Sequence, residues 1–170
     1  TPYTEGGAPL DTLNVDIAAG KKFLGNAKGL GLPANTAWFK INSSQSLNGF
    51  ELFGTTNGKS LAGYSTVNIN RKEGVFPKID HEGWTGFAFV NTSDNGANIV
   101  LTLYDDDGFK VAEKSISLAG HAKVVDNPEN IFGGSITAAT YIKFTSNRDV
   151  VGFQLNGSTD GMMLDGLPGM

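Results

Sequence analysis

The feature that most constrains this chain is an internal repeat. The segment Lys40–Tyr64 aligns without gaps on Lys143–Leu167, and ten of the 25 aligned positions are identical. The clearest match joins Gly49–Leu52 to Gly152–Leu155. Self-similarity of this kind indicates two copies of one supersecondary unit that pack on each other. We therefore predict a single compact β body over residues 1–170, with internal repeats at approximately 13–66, which is incomplete, and 84–170.

The correspondence continues upstream of these segments at lower similarity. Trp38-Phe39 matches Tyr141-Ile142, Phe23–Asn26 and Leu30 fall near Val124–Asn127 and Ile131, and Ala19-Gly20 fits Ala119-Gly120. The first unit lacks the hairpin that opens the second, since Thr1–Leu10 is too short and too rich in glycine and proline for two strands. Either the sequence is a section of a longer array, or strands of the second unit complete the first. An uncovered strand edge would favour self-association.

Alternating apolar and polar residues predict antiparallel strands in both units. Trp84–Asn91 and Ala97–Tyr104 have the period of two that half-buried strands show, and Asp105–Gly108 turns the chain into a third strand, Phe109–Leu118. We expect the apolar members of these patterns to form the core: Phe39, Ile41, Phe50, Leu52, Phe87, Phe89, Leu101, Leu103, Phe144, Phe153 and Leu155.

Turn and cap signals complete the fold prediction. Asn57-Gly58 and Asp160-Gly161 occupy the same repeat position, and both dipeptides favour the type I′ turn of a tight hairpin. Asn127-Pro128 is typical of a helix N-terminus, which Gly133-Gly134 ends after about one turn. The predicted fold is all-β, an antiparallel β-sandwich built from two related repeat units with one or two short helical turns.

Composition excludes several classes of function. The formal charge of -4 and the pI near 5.1 argue against a nucleic-acid partner, and no apolar run is long enough to span a membrane. The absence of cysteine excludes disulfides, thiol catalysis and cysteine-ligated zinc. The 23 glycines and 18% charged residues are typical of an extracellular β domain, so we expect an extracellular, cell-surface or periplasmic location.

No motif predicts an enzyme, a metal site or a cofactor. His81 stands beside two acidic residues in a connector, and a catalytic or metal role would require partners that converge in space. Asp105–Gly108 has the acidic character of a calcium loop, but it lacks the ligand spacing of an EF-hand and fits a polar hairpin turn. A glycoside hydrolase is a less favoured alternative, because its paired carboxylates cannot be identified from sequence.

Three segments resemble tandem modules of large bacterial secreted or surface proteins, whose function is unassigned. These segments are Gly83–Asn91, Leu103–Gly108 and Gly152–Leu155, and the resemblance covers most of residues 10–168. It is carried by turn and core residues, so it implies architecture and supplies no catalytic residues.

One duplicated feature predicts a binding surface. If Phe39, Ile41 and their counterparts face the core, then Trp38 and Lys40 face outward, as do Tyr141 and Lys143. An aromatic ring beside a cation can stack on a sugar or contact another protein. We expect a non-catalytic extracellular binding or adhesion module whose ligand is a carbohydrate or a protein. The alternative is a purely structural repeat of a larger surface protein.

Overall fold

The fold is all-β and antiparallel, as predicted. A computed structural model describes residues 1–67, 69–134 and 136–169; Asn68, Ser135 and Met170, which fall within the predicted body, lie outside the described residues. The elements of the described part are β1 (Pro2–Tyr3), β2 (Trp38–Phe39), β3 (Phe50–Gly54), β4 (Leu61–Ser65), β5 (Arg71–Phe76), β6 (Trp84–Asn91), β7 (Ala97–Tyr104), β8 (Lys110–Leu118), β9 (Lys123–Asp126), α1 (Pro128–Phe132), β10 (Tyr141–Gly157) and β11 (Leu164–Pro168).

The long strand β10 organises the second unit. It belongs to a seven-stranded sheet with the order β8-β7-β10-β6-β9, and β5 and β11 also pair with it. The register shifts between Thr145 and Val150, so the first half of β10 lies between β5 and β7 and the second half lies between β6 and β11. A single strand that changes partners in this way curls the sheet into half a barrel, with the core on its concave side.

The core lies inside the curled sheet. Phe76 is at its centre, with ring centroids 5.6 Å from Phe87, 5.7 Å from Phe89 and 5.6 Å from Phe144. The predicted core is confirmed at five second-unit positions: Phe87, Phe89, Leu101, Leu103 and Phe144. Phe153 and Leu155 are half-buried instead. Their strand turns Gly152, Gln154 and Asn156 towards the core, where Gln154 and Asn156 hydrogen-bond to each other over 2.9 Å.

The first unit forms two separate two-stranded sheets. Among the described residues, β2 pairs with β1 and β3 pairs with β4, so the alternative in which strands of the second unit complete the first is wrong. The predicted burial is wrong at four first-unit positions, which are exposed: Phe39, Ile41, Phe50 and Leu52. The physical reason is that no strand of the described chain covers this face.

The repeat is nevertheless present in three dimensions. In one hairpin Phe50 lies opposite Ser65, Leu52 opposite Gly63 and Gly54 opposite Leu61. In the other, Phe153 lies opposite Pro168, Leu155 opposite Gly166 and Gly157 opposite Leu164, which are the same pairings shifted by one repeat. In both hairpins the phenylalanine ring covers the glycine of the partner strand, at Gly63 and Gly166. A ring over a strand glycine supplies the packing that the glycine itself lacks.

Both hairpin turns form where Asn-Gly and Asp-Gly predict them, but the turn type differs from the prediction. Gly58 and Gly161 have φ values of 71° and 69°, whereas Asn57 and Asp160 stay outside the left-handed region. A type I′ turn requires positive φ at both residues, so these are type I turns followed by a left-handed glycine. The Asn57 and Asp160 side chains each accept a hydroxyl hydrogen bond of 2.6 Å from within the turn.

The structural correspondence also reaches the beginning of the chain. Gly7 and Gly108 have φ values of 90° and 82°, and each closes a turn with a backbone hydrogen bond, to Thr4 O and Asp105 O respectively. The turn Thr4–Ala8 is therefore the counterpart of Asp105–Phe109. Similarly, the side chain of Asn26 accepts from Gly29 N over 2.7 Å, as the side chain of Asn127 accepts from Asn130 N over 2.8 Å at the start of α1.

One aligned pair requires a correction of one residue. The backbone bond from Lys21 N to Ala18 O corresponds to the bond from Ala122 N to Ala119 O. This pairs Gly20, with a φ of 70°, with His121, with a φ of 58°, and not with Gly120. A histidine thus stands in the left-handed region where the first unit has glycine.

Candidate functional site

Trp38 lies at the contact between the two units. Its neighbour across the β1–β2 ladder is Tyr3, and the two rings stack with centroids 4.4 Å apart and planes within 9°. The half-buried indole donates its Nε1–H to the carbonyl of His121 over 2.9 Å. Lys40 is exposed beyond the end of β2, and its backbone N–H donates to Thr1 O over 2.9 Å.

Tyr141 and Lys143 lie on the outer face of β10, as predicted. The neighbouring Ile142 and Phe144 are fully buried, while Tyr141 is half-buried and Lys143 is exposed. Tyr141 stacks on Tyr104 of β7, with ring centroids 5.2 Å apart and planes within 12°. The second unit thus repeats the aromatic stack of Tyr3 and Trp38, although the two stacks belong to different sheets.

The hydrogen bonds between the units are accepted mainly by backbone carbonyl groups. Lys123 N donates to Glu5 O over 2.9 Å, and the Lys123 ammonium donates to Ala37 O over 2.8 Å. The ring of Tyr3 stacks on His121 with centroids 5.0 Å apart. Gly7 fits so closely that a Cβ placed on it would lie 2.2 Å from Gly120 O. We call the turn Thr4–Ala8 with Tyr3 and Trp38 the aromatic face, and residues 119–123 the corner that receives it.

Sequence reasoning missed most of this interface. It identified Trp38 but not Tyr3, His121 or Lys123. The available signal was the shared pattern of a tyrosine followed four residues later by a left-handed glycine, in Tyr3–Gly7 and Tyr104–Gly108. The residues between them differ, so the pattern is visible only once the hydrogen bonds are known.

Equivalent apolar positions have opposite environments in the two units. Phe39, Ile41 and Leu47 are 42%, 54% and 50% exposed, whereas their counterparts Ile142, Phe144 and Val150 are 0%, 1% and 1% exposed. In the second unit these side chains belong to the core cluster inside the curled sheet that β5, β6 and β7 form with their strand. The first unit therefore presents a face with core composition and no covering strand among the described residues.

An open groove of about 490 Å³ also lies between the units. It is lined mainly by apolar side chains and glycines, including Phe50, Tyr64, Ile69, Val150 and Pro168, and its polar lining residues are Ser65, Thr66 and Arg71. No Asp or Glu is among the described residues that line it. A groove of this composition suits an apolar surface or a backbone better than it suits acid–base chemistry.

The histidines and the acidic turn have local structural roles. The carbonyl of Ala139 lies 2.6 Å from His81 Nε2, and the Asp94 carboxylate lies 2.8 Å from His121 Nε2. The carboxylate of Asp105 accepts the backbone N–H groups of the turn that it begins. Within the described residues no three His, Asp or Glu side chains come together as a metal-binding group. No described helix has the length and apolar character to cross a membrane.

Comparison with known proteins gives little further information. No protein family model matches the chain, and no curated protein matches it. The crystal structure of Thermotoga maritima 1070 is similar with a TM-score of 0.49 and 18% identity, over 58% of this chain and 92% of that one. The Anabaena sensory rhodopsin transducer is similar with a TM-score of 0.43 and 16% identity, over 52% of this chain and 91% of that one. Similarities at this level do not indicate a function.

Proposed function

We propose that this chain is a non-catalytic structural module that works in a series of like β units and binds protein surfaces of its own kind. The observation that carries the proposal is the opposite burial of Phe39, Ile41 and Leu47 and of their second-unit counterparts. The second unit supports the proposal, because there the equivalent positions lie in a strand that pairs with β6 and β7. Exposed apolar patches often mark sites of interaction with other proteins.

The free strand edge supports the same proposal. Among the described residues, β3 pairs on one edge with β4, while its counterpart in β10 pairs on both edges, with β6 and β11. The unpaired edge offers backbone groups that a further strand can satisfy, and alternate apolar side chains would set its register.

The decisive experiment adds strands in phase with the repeat. Thr1 corresponds to Thr102, so a copy of residues 69–101 fused ahead of Thr1 would supply the counterparts of β5, β6 and most of β7. We expect the extended chain to bind less of an apolar dye, to melt at a higher temperature and to protect the amide of Ile41 from hydrogen exchange.

The matched control is the same extension with one additional residue at the junction. A shift of one residue turns every side chain of a strand to the opposite face, so the control should give no protection. Equal behaviour of the two extended chains, or no protection in either, would reject the proposal.

The carbohydrate version of a binding function has less support. The Trp38 ring has Tyr3 on one face and uses its N–H within the protein, and Tyr141 is likewise stacked on Tyr104. Binding on a glycan array that is lost in both Trp38→Ala and Tyr141→Ala would support the carbohydrate-binding hypothesis. An extracellular or cell-surface location belongs to the same proposal, and it rests on composition alone.

A further inference from the structure

We infer that the chain associates head to tail with a second copy of itself. The aromatic face of the second unit, which consists of Tyr104, Tyr141 and the turn Asp105–Phe109, would dock on the corner Ala18–Lys22 of the next copy. This inference rests on the proposed function, because it names the partner of that module. Its template is the contact that the two units already make within one chain.

Both halves of the template recur in the chain. The aromatic face recurs because Tyr104 and Tyr141 stack as Tyr3 and Trp38 do, beside a turn closed by the same hydrogen bonds. The corner recurs because Ala18–Lys21 repeats the hydrogen bond and the positive φ of Ala119–Ala122. The corner ends on a lysine in both units, Lys22 and Lys123.

Neither recurring half has a partner unit among the described residues. Lys21 and Lys22 belong to an exposed stretch, residues 11–29. Asp106 and Asp107 are exposed, and Phe109, at the end of the turn, is 70% exposed. An exposed aromatic ring beside a half-buried aromatic pair is typical of the centre of a protein interface.

Charge favours this pairing over a symmetrical one. The aromatic face of the second unit carries the Asp105–Asp107 turn, and the corner of the first unit carries Lys21 and Lys22. Within one chain, Lys123 N donates to Glu5 O. In the proposed contact between two copies, the equivalent bond runs from Lys22 N of one copy to Asp106 O of the other, and it brings a basic and an acidic residue together. Two acidic faces or two basic corners would repel each other.

The hairpins add an apolar contact to the same interface. Phe153 packs against Phe53 and Tyr64 of the first unit, with centroid distances of 5.9 Å and 4.6 Å. Its counterpart Phe50 is exposed in this chain. In the head-to-tail arrangement, Leu167 of the preceding copy, the counterpart of Tyr64, would cover Phe50.

Four contacts of the template change in the copy. Tyr141 has no indole N–H to repeat the bond from Trp38, and the counterpart of Phe53 is Asn156, which is buried. The ring of His121 has no counterpart, because Gly20 stands in its place and Tyr104 would lie on backbone. The carbonyl of Thr140, which corresponds to Ala37, already accepts from Ile79 N over 2.6 Å. The aspartate carboxylates replace it as acceptors for Lys22. Because different surfaces meet, each dimer keeps one free face and one free corner, so further copies can add to it as a chain or a ring.

The first test is sedimentation velocity of the whole chain from about 10 μM to about 1 mM, a range suited to weak association. We expect a ladder of dimers, trimers and larger species that shortens as salt is raised. A strict monomer, or a dimer that never extends, would overturn the inference.

Charge variants then test the orientation. Asp106→Lys with Asp107→Lys disables the aromatic face, and Lys21→Glu with Lys22→Glu disables the corner. We expect each variant alone to associate more than about tenfold less tightly. An equimolar mixture should restore the ladder as alternating copies, because the native corner of one variant meets the native face of the other and the two reversed surfaces are also opposite in charge. A mixture that stays monomeric would contradict the proposal.

A steric variant provides a matched control. A Cβ at Gly7 would lie 2.2 Å from Gly120 O, so Gly108→Ala should collide with Ala19 O of the next copy. Gly133→Ala carries a similar left-handed φ penalty in open space at the end of α1, which is not among the contacts of the template. Association should fall by more than about tenfold in the first variant only. If the in-phase extension protects the first unit but no ladder forms, the proposed function stands and this inference fails.

Discussion

The opposite burial of equivalent residues predicts unequal costs for truncation to alanine at the same repeat position. Phe144 is 1% exposed and packs between Phe76 and Phe89, with ring centroids 5.6 Å and 5.2 Å away. Phe144→Ala should therefore lower the free energy of unfolding by about 3–5 kcal/mol, the usual cost of a buried aromatic truncation. Ile41 occupies the same repeat position and is 54% exposed. Full burial of an isoleucine contributes about 1.5–3 kcal/mol, so Ile41→Ala should cost about 1 kcal/mol or less.

Urea unfolding followed by far-ultraviolet circular dichroism would measure both costs, with amide exchange to separate the units if they unfold independently. The in-phase extension should raise the cost of Ile41→Ala towards the cost of truncating a buried isoleucine, about 2–5 kcal/mol, and should leave Phe144→Ala unchanged. Equal costs for the two substitutions in the unextended chain would refute the reasoning, because burial would then not account for the difference between the units.

Three further predictions concern the interface, the helix and pH. Gly7→Ala should destabilise the chain by at least about 1 kcal/mol more than Gly108→Ala in dilute solution, as measured by urea midpoints. Both substitutions place alanine at positive φ, but only the Cβ at position 7 would collide with backbone atoms. Asn127→Ala should cost about 1 kcal/mol through loss of the helix cap, measured in the same way. The hydrogen bond from Lys78 holds the pKa of the Asp80 carboxyl below its ordinary value, so Asp80 stabilises the fold above the unfolded pKa of about 3.9 and loses this effect as pH falls through the lower folded pKa. Asp80→Asn should therefore reduce the acid sensitivity of the urea midpoint, and an unchanged pH profile would contradict this.

The second unit was predictable because its signals are local. The alternation of Trp84–Asn91 and Ala97–Tyr104 gives the bounds of β6 and β7 directly, and each strand has a partner within the unit. The cap at Asn127 and the stop at Gly133 likewise depend on neighbouring residues. Patterns that are satisfied by nearby chain can be predicted from sequence.

The first unit was not predictable in the same way. Phe39 and Ile41 have the alternation of a buried strand, but alternation predicts only that two faces differ and does not show whether a second layer covers the apolar one. The direction of Phe153 was unpredictable for a related reason. Its strand is lined on the core side by Gly152, where Phe76 and Phe89 fill the space, so the large side chain faces the other unit.

The aromatic–lysine pairs were predicted as a binding surface from their duplication, and the structure gives that duplication a more specific meaning. Trp38 stacks on Tyr3, just as Tyr141 stacks on Tyr104, so what recurs is an aromatic pair beside a turn. The sequence alignment could not reach this feature, because Thr4–Gly6 and Asp105–Asp107 share a backbone conformation and no residue type.

The backbone character of the contact explains how it can recur while the side chains diverge. The acceptors in the template are the carbonyls of His121, Glu5 and Ala37, which every residue type supplies. What the contact requires of side chains is little: an aromatic pair, a lysine, and a residue without Cβ at Gly7 or Gly108. A repeat can therefore lose most of its sequence identity and keep its docking geometry. For this reason we expect Gly108→Ala, which changes no charge, to weaken association as much as reversal of two charges does.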